Sequence, residues 1–281
     1  MKKDIAKIIL RFGLLFLWFA VAGCNIHIRC CVPLAEYKRV VHLSEPMAAG
    51  LSFSARTHDG SIKVIGGDIA DCNVTATIIA RAGSHSQAEK IAEKTKLSLE
   101  RLSGGLKLKI EKPLLICRSI DVQLDVKVPK NCDLELVTKD GDITVENING
   151  ILDVKTGDGT LVMSRVGNKI KARSFDGTIR IKKNYGDISA RSFDGKITVA
   201  YSKEAEGVCD VSLTTNDGTI DLKTPENFSA NVEISTNDGT IESNLPINVA
   251  GKLSKKRIKG TIGTGLGRLY IKSGDGTIRI R

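Results

Sequence analysis

Ser174-Phe175-Asp176-Gly177-Thr178-Ile179 is rewritten 18 residues later as Ser192-Phe193-Asp194-Gly195-Lys196-Ile197. Both are copies of one unit: apolar, any, apolar, any, Ser/Thr, any, Asp, Gly, any, apolar. The unit first appears complete from Phe53 through Asp59-Gly60 to Val64. Its Asp then recurs at 140, 158, 176, 194, 217, 238 and 275. Successive gaps are 18, 18, 18, 23, 21 and 37 residues. A fixed period of this length marks a repeat architecture. Inside the last gap, Lys259-Gly260-Thr261-Ile262 reads as a degraded copy. Ser202 to Gly207 and Pro225 to Ser229 read as loops that lengthen two of the repeats.

Alternation assigns inward positions in each copy. They are Leu152, Val154, Thr156, Leu161 and Met163, then Ile170, Ala172, Ser174, Ile179 and Ile181, then Ile188, Ala190, Ser192, Ile197 and Val199. Two short strands cannot bury a core alone, but equivalent units stacked about 4.8 Å apart can. Each large apolar side chain so buried contributes roughly 1.5–3 kcal/mol before entropy. The chain is therefore read as all-β, a β-solenoid of parallel β-helix type with rungs of about 18–21 residues. Gly is expected to supply positive φ at the turn, and Asp to fold its carboxylate onto nearby backbone N–H groups. A second turn is expected at Gly150, Gly167 and Gly186.

Upstream, Tyr37 to Leu43 and Val74 to Arg81 read as strands. From Ser84 the period changes. Ala88, Ile91, Ala92, Thr95, Leu99 and Leu102 fall at helical spacing, predicting one inserted helix over about 84–102. Ser84 or Ser86 can cap its start, with Glu89 completing a capping box from Ser86, and Gly104-Gly105 ends it. Leu106 to Glu111 and Ile120 to Val128 alternate strictly, as strands with one wet face. An N-terminal β part (37–128) and the repeats (129–281) form one continuous domain.

Lys2, Lys3, Lys7 and Arg11 precede an apolar run from Phe12 to Ala22 that ends in Val21-Ala22-Gly23-Cys24. Charge, length and small residues resemble a bacterial lipobox signal, implying a signal peptide over 1–23 and a lipid-bearing Cys24. An ordinary signal peptide is the alternative. Asn25, in place of the Asp that retains enteric lipoproteins at the inner membrane, points to the outer membrane. Residues 24–36 read as anchor and tether. Cleavage lowers Lys plus Arg from 42 to 38 and Asp plus Glu from 32 to 31, so the charge falls from +10 to +7. A basic balance suits anionic partners, or simply a solvated surface. Hydrophobic content of 41% argues against disorder, and 4% aromatics with 27 glycines suits a thin, turn-rich β-structure.

Six other cysteines stand at 30, 31, 72, 117, 132 and 209. The spacing leaves the pairing of Cys30, Cys31, Cys72 and Cys117 open. Cys132 and Cys209 hold the same rung position four rungs apart, about 19 Å, too far for a disulfide. Both are expected to be free and buried.

The Asp-Gly-x-Ile repeats, the helix after Val74 to Ile78, the Ile120 to Pro129 strand and the tail from Gly260 to Arg279 together resemble the bacterial "putative adhesin" repeat family, a domain of unknown function. The resemblance covers about residues 37–281. It implies a right-handed, β-helix-like fold at the cell envelope and carries over no catalytic residue.

No nucleophile elbow, HExxH or CxxC appears, and His27, His42, His58 and His85 have no partner at a recognisable spacing. No cofactor, metal or nucleic acid is expected. One Asp per rung reads as turn chemistry rather than a calcium ladder. The basic cluster from Lys252 to Lys259 reads as an exposed loop. Lys155, Arg173 and Arg191 share one outward position in consecutive rungs, with Phe175 and Phe193 two residues beyond. This strip is a candidate contact for envelope polysaccharide or another anionic polymer, against a solvated face. The expected role is non-enzymatic: adhesion, surface interaction or envelope structure. The alternatives are a carbohydrate-active β-helix enzyme such as a polysaccharide lyase, recognisable by a cleft with converging carboxylates, and an accessory protein in envelope-stress signalling.

Overall fold

The computed structural model describes residues 35–114, 119–249 and 254–281. The signal peptide, Cys24, Cys30, Cys31 and Cys117 lie outside them. Ala35–Arg281 is one compact unit, a β-solenoid. Its strands stack in two rows around one core. In one row, β2 (Ser52–Arg56) lies beside β8 (Asp133–Val137). There follow the C-terminal halves of β9 (Ile143–Lys155) and β10 (Leu161–Arg173), then β12 (Asp187–Arg191) and β14 (Asp210–Asp217). In the other row β3 (Ile62–Gly67) is followed by the N-terminal halves of β9 and β10, then β11 (Ile179–Asn184), β13 (Ile197–Tyr201) and β15 (Ile220–Lys223). All these pairings are parallel, and Ile143, Leu161, Ile179 and Ile197 align in successive rungs. Every inward residue named from alternation is buried.

The rungs are not stacked wholly in chain order. The last one, β20 (Gly267–Asp275) and β21 (Ile278–Ile280), inserts between β14/β15 and the earlier pair β16 (Ala230–Thr236) and β17 (Ile241–Ser243). Lys259 to Ile262 is not a degraded rung. It belongs to β19 (Arg257–Ile262), which runs antiparallel to β16 and to β18 (Asn248–Val249) and closes that end of one row. At the N-terminal end, β6 (Gly105–Glu111) and β7 (Ser119–Pro129) form a rung outside β2/β3. Antiparallel strands again finish the stack there: β5 (Lys96–Leu102) on β6, and β4 (Asp71–Ala82) with β1 (Ala35–Pro46) on β7. The first strand therefore begins at Ala35, inside the stretch read as tether.

The inserted helix is shorter than its periodicity predicts. Helix α1 spans His85–Lys94; Ser84 caps it, its side chain accepting from the N–H of Gln87. Its buried face is Ala88, Ile91 and Ala92, packed on β1 and β4. The guanidinium of Arg39 donates to the carbonyls of Ala92 (3.0 Å), Glu93 and Thr95 (3.3 Å each), and the Thr95 hydroxyl donates to Ile91 O at 3.0 Å. A cation on the last carbonyls satisfies groups a further turn would have used. Leu97 and Leu99 then follow a period of two in β5, and Gly104 and Gly105 form the hairpin into β6 rather than a helix cap.

The conserved spacing inside the unit has a different physical cause from the expected one. Only Gly60 (φ 124°) and Gly276 (φ 159°) of the Asp-Gly glycines have positive φ. What requires glycine is the stack itself. A Cβ on Gly141, Gly159, Gly177, Gly195, Gly218, Gly239 or Gly276 would stand 1.9–2.3 Å from the carbonyl oxygen of the glycine in the neighbouring rung. The Ser/Thr of the unit serves the same contact. Thr156 donates to Gly141 O (2.9 Å), Ser192 to Gly177 O (3.0 Å), Thr215 to Gly195 O (3.2 Å) and Ser273 to Gly218 O (3.1 Å). Each buried hydroxyl thus bonds a neighbouring rung. No backbone N–H donates to the carboxylate of Asp158, Asp176, Asp194, Asp217 or Asp275 among the described residues; the side-chain bonds at these turns run instead from the Ser/Thr hydroxyls to glycine carbonyls. The second corner starts at Asn147 (φ 57°), Arg165 (φ 52°) and Lys183 (φ 51°), which hold one register position, and runs to Gly150, Asn168 (φ 69°) and Gly186, which hold another; a Cβ on Gly150 or Gly186 would stand 1.9 Å from the carbonyl oxygen of Cys132 or Asn168.

Candidate functional site

The outward positions of the first row form continuous columns. One column reads Arg56, Val137, Lys155, Arg173, Arg191, Thr214 and Lys272, each beside the next in adjacent rungs. Lys155, Arg173 and Arg191 are consecutive in it. Two residues further along each strand the turn begins, and Phe175 and Phe193 stand side by side there. Their rings lie 3° from parallel with centroids 5.0 Å apart, 56% and 42% exposed. Stacking two aromatics at the rung spacing keeps each ring half in water, with one face covered and one open.

The three cations are not equivalent. Arg173 donates to both oxygens of Asp153, at 2.6 and 3.0 Å, and Lys171 lies 3.8 Å from the same carboxylate. Lys155 and Arg191 make no ion pair among the described residues. Their charge is balanced only by solvent, while that of Arg173 is largely spent on Asp153. Much of the basic cluster is neutralised: Lys256 pairs with Asp238, and Arg257 and Lys259 with Glu233, whose carboxyl they hold below its usual range.

A groove of about 510 Å³ opens beside the strip, lined by Arg56, His58, Lys139, Lys155, Gly157 and Arg173 together with Glu135 and Asp153. A second, of about 330 Å³, lies on the far side of the aromatic pair between Arg191, Asn216, Tyr270 and Lys272. Sequence reasoning reached the centre of this surface but not its flanks. Arg56, His58 and Lys139 arrive from turns 81 residues apart that the stack makes neighbours, Asp59 bridging Asp140. No sequence spacing could have shown that.

The same juxtaposition brings ligand atoms of His58, Asp59 and Asp140 within 4.8 Å of one another. An imidazole and two carboxylates are a donor set a divalent cation could use. All are at least half-exposed or rim-placed, His58 Nδ1 lies 2.9 Å from Asp59, and Lys139 Nζ lies 3.3 Å from Asp140. Along the Asp column the carboxylates crowd one another. Asp194 is raised above the usual carboxylate range by desolvation and then by Asp217 and Asp176.

Cys72, Cys132 and Cys209 are free and buried. Burial pushes the thiols of Cys72 and Cys132 up to about 12 and that of Cys209 upward as well. They are small apolar packing, far from nucleophiles.

Comparison with known proteins adds the following. No curated protein matches the chain. Among solved structures, it is similar to a "putative cell adhesion protein" from Clostridium sporogenes, at 15% identity and TM-score 0.40, covering 88% of this chain and 98% of that one. It is also similar to a "putative adhesin" from Parabacteroides distasonis, at 12% identity and TM-score 0.39, covering 86% and 97% of the two chains. The profile of the Toastrack DUF4097 family matches residues 52–281. The chain belongs to the Toastrack DUF4097 family.

Proposed function

We propose that this is a non-enzymatic protein of the bacterial envelope, held to a membrane by lipid on Cys24, that contacts an anionic polymer, envelope polysaccharide first, through the face bearing Lys155, Arg191, Phe175 and Phe193. One observation carries the reading. Two unpaired cations and an exposed, stacked aromatic pair stand in register on a rigid sheet face, flanked by two basic grooves. Rigidity matters because a pre-formed surface spends little entropy on ordering when it binds.

The lyase alternative needs carboxylates or basic groups converging on a substrate from two sides. Glu135 and Asp153 do line a groove, but they are register neighbours on one sheet face, pointing the same way. Asp153 is already committed to Arg173. Paired carboxylates that hydrolyse a glycosidic bond flank it from opposite sides, so this pair does not favour hydrolysis either.

The test is a glycan and peptidoglycan binding screen on residues 35–281, with product analysis of each bound polymer. Salt-sensitive binding without turnover is expected. Binding unchanged when Lys155, Arg191, Phe175 and Phe193 are all replaced sinks the reading, and release of shortened product would replace it with the enzyme. Anchoring is tested separately: labelled palmitate should enter the full chain and be absent from Cys24→Ser.

A further inference from the structure

The position preceding the motif Asp forms its own column along the turn edge: His58, Lys139, Gly157, Phe175, Phe193, Asn216. Hydrogen bonds fix the order. The N–H of Phe175 donates to Gly157 O at 3.1 Å, and that of Phe193 to Phe175 O at 3.0 Å. Phe193 covers one face of the Phe175 ring. The other face looks toward the rung of Gly157, where the column carries no side chain at all. A gap one rung high therefore stands beside an aromatic ring face. The groove of about 510 Å³ borders this gap at Gly157, which is part of its wall, and Phe175 stands just outside that wall. Glycine is held there by the backbone, because a Cβ would lie 2.6 Å from Lys139 O. The rung of Gly157 is thus bare of a side chain where its neighbours in the column, Lys139 and Phe175, each carry one.

We propose that this gap seats one sugar ring of an acidic polysaccharide, its C–H face on the open face of Phe175 and its acid group toward Lys155 and Lys139. The proposal rests on the polymer-binding reading above and names its specificity-determining subsite. The chemistry of the walls selects the occupant. The π face of Phe175 is electron-rich and attracts the polarised C–H bonds of a pyranose ring. The groove holds Arg56, Lys139, Lys155 and Arg173 against Glu135 and Asp153, so it is net cationic. Lys155 has no ion-pair partner among the described residues, whereas Arg173 is tied to Asp153 and acts as a wall. A neutral sugar would meet the ring but leave the cations unanswered, and a bare phosphate would answer the cations but leave the ring open.

The experiment uses a short oligogalacturonate and its methyl ester as probes, with residues 35–281. Calorimetric affinity is measured for wild type, Phe175→Leu, Lys155→Gln and Tyr185→Leu, the last an exposed aromatic in the connection between β11 and β12. Phe175 is more than half exposed, so Phe175→Leu should fold, and circular dichroism checks it. Phe175→Leu and Lys155→Gln should each weaken oligogalacturonate binding about tenfold, as loss of one stacking contact does elsewhere. Tyr185→Leu should change nothing, and the methyl ester should bind weakly to all. Oligogalacturonate affinity that Phe175→Leu leaves unchanged overturns the seat and leaves the polymer-binding reading standing. Absence of binding to wild type by any acidic polymer overturns both.

Discussion

Three residues of the repeat unit each answer a separate constraint, and each can be tested alone. Gly177 faces Gly159 O at a distance where a Cβ would stand at 1.9 Å, with Ser174 Oγ at 2.6 Å. Neither is a flexible side-chain end, so Gly177→Ala should destabilise by about 3 kcal/mol in urea unfolding. Gly104→Ala is the control, because nothing lies within 4 Å of its site, and it should change the midpoint little. Lys183 sits at φ 51°, where a side chain strains the backbone, and Asn147 occupies the same register position. Lys183→Asn should therefore stabilise, by about 0.5–1 kcal/mol in the same assay. Asp194 carries the reverse sign of a stabilising carboxylate. Its pKa is raised by desolvation and by Asp217 and Asp176, so the fold binds its proton more tightly than the unfolded chain does. Its contribution is present below the unfolded pKa and is lost as pH rises through the folded one. Asp194→Asn should thus melt above wild type at pH 7, with the difference closing below about pH 4; an unchanged or lower melting point at pH 7 would contradict the crowding. The sequence displayed the Gly and the Asp as a motif but could not separate their causes, because a clash with another rung's carbonyl is invisible until the rungs are stacked, and it gave no sign of Lys183.

At the scale of elements, the parallel strands were legible because inward apolar alternation and stack register are one and the same signal. The stretch after α1 was not. Thr95, Leu99 and Leu102 extend the helical spacing of Ala88, Ile91 and Ala92 by coincidence, while Leu97 and Leu99 keep the strand period that the fold uses. Tertiary contact decides between them. Arg39, 53 residues before Ala92, places its guanidinium on the helix's last carbonyls. Arg39→Met keeps the aliphatic stem and removes the donors. It should cost about 1–3 kcal/mol, as for hydrogen bonds to a charged group. Hydrogen exchange should rise in the amides of α1 and of the start of β5, while those of β9 and β10 stay protected. Uniform loss of protection across the chain would show instead that Arg39 supports the whole stack. The candidate site divides along the same line. Lys155, Arg173, Arg191, Phe175 and Phe193 could be read from a period of 18, whereas Arg56, His58 and Lys139 required knowledge of which distant turn lies alongside.

For the molecule as a whole, the order of rungs in space decides how it comes apart. A solenoid stacked in chain order gives up only its end when shortened, since each repeat contacts its neighbours alone. Here the C-terminal rung, β20 and β21, is interior: β14 and β15 lie on one side of it, β16 and β17 on the other. The shared Asp-Gly motif hid this, because a rung inserted out of order has the same motif as one in order. The last strands also carry hydroxyl bonds both ways, Ser273 to Gly218 O and Thr236 to Gly276 O. Deleting residues 267–281 should therefore strip both neighbours at once. In hydrogen exchange on residues 35–266, β16 and β19 should lose protection together with β14 and β15, while β2, β3 and β9 keep theirs. If β16 through β19 remained as protected as in the intact chain, re-docked onto β14, the inserted rung would be replaceable and its position incidental. If they are lost, the fold is closed by its final 15 residues, and the second groove, with Tyr270 and Lys272 in its wall, exists only once the chain is complete.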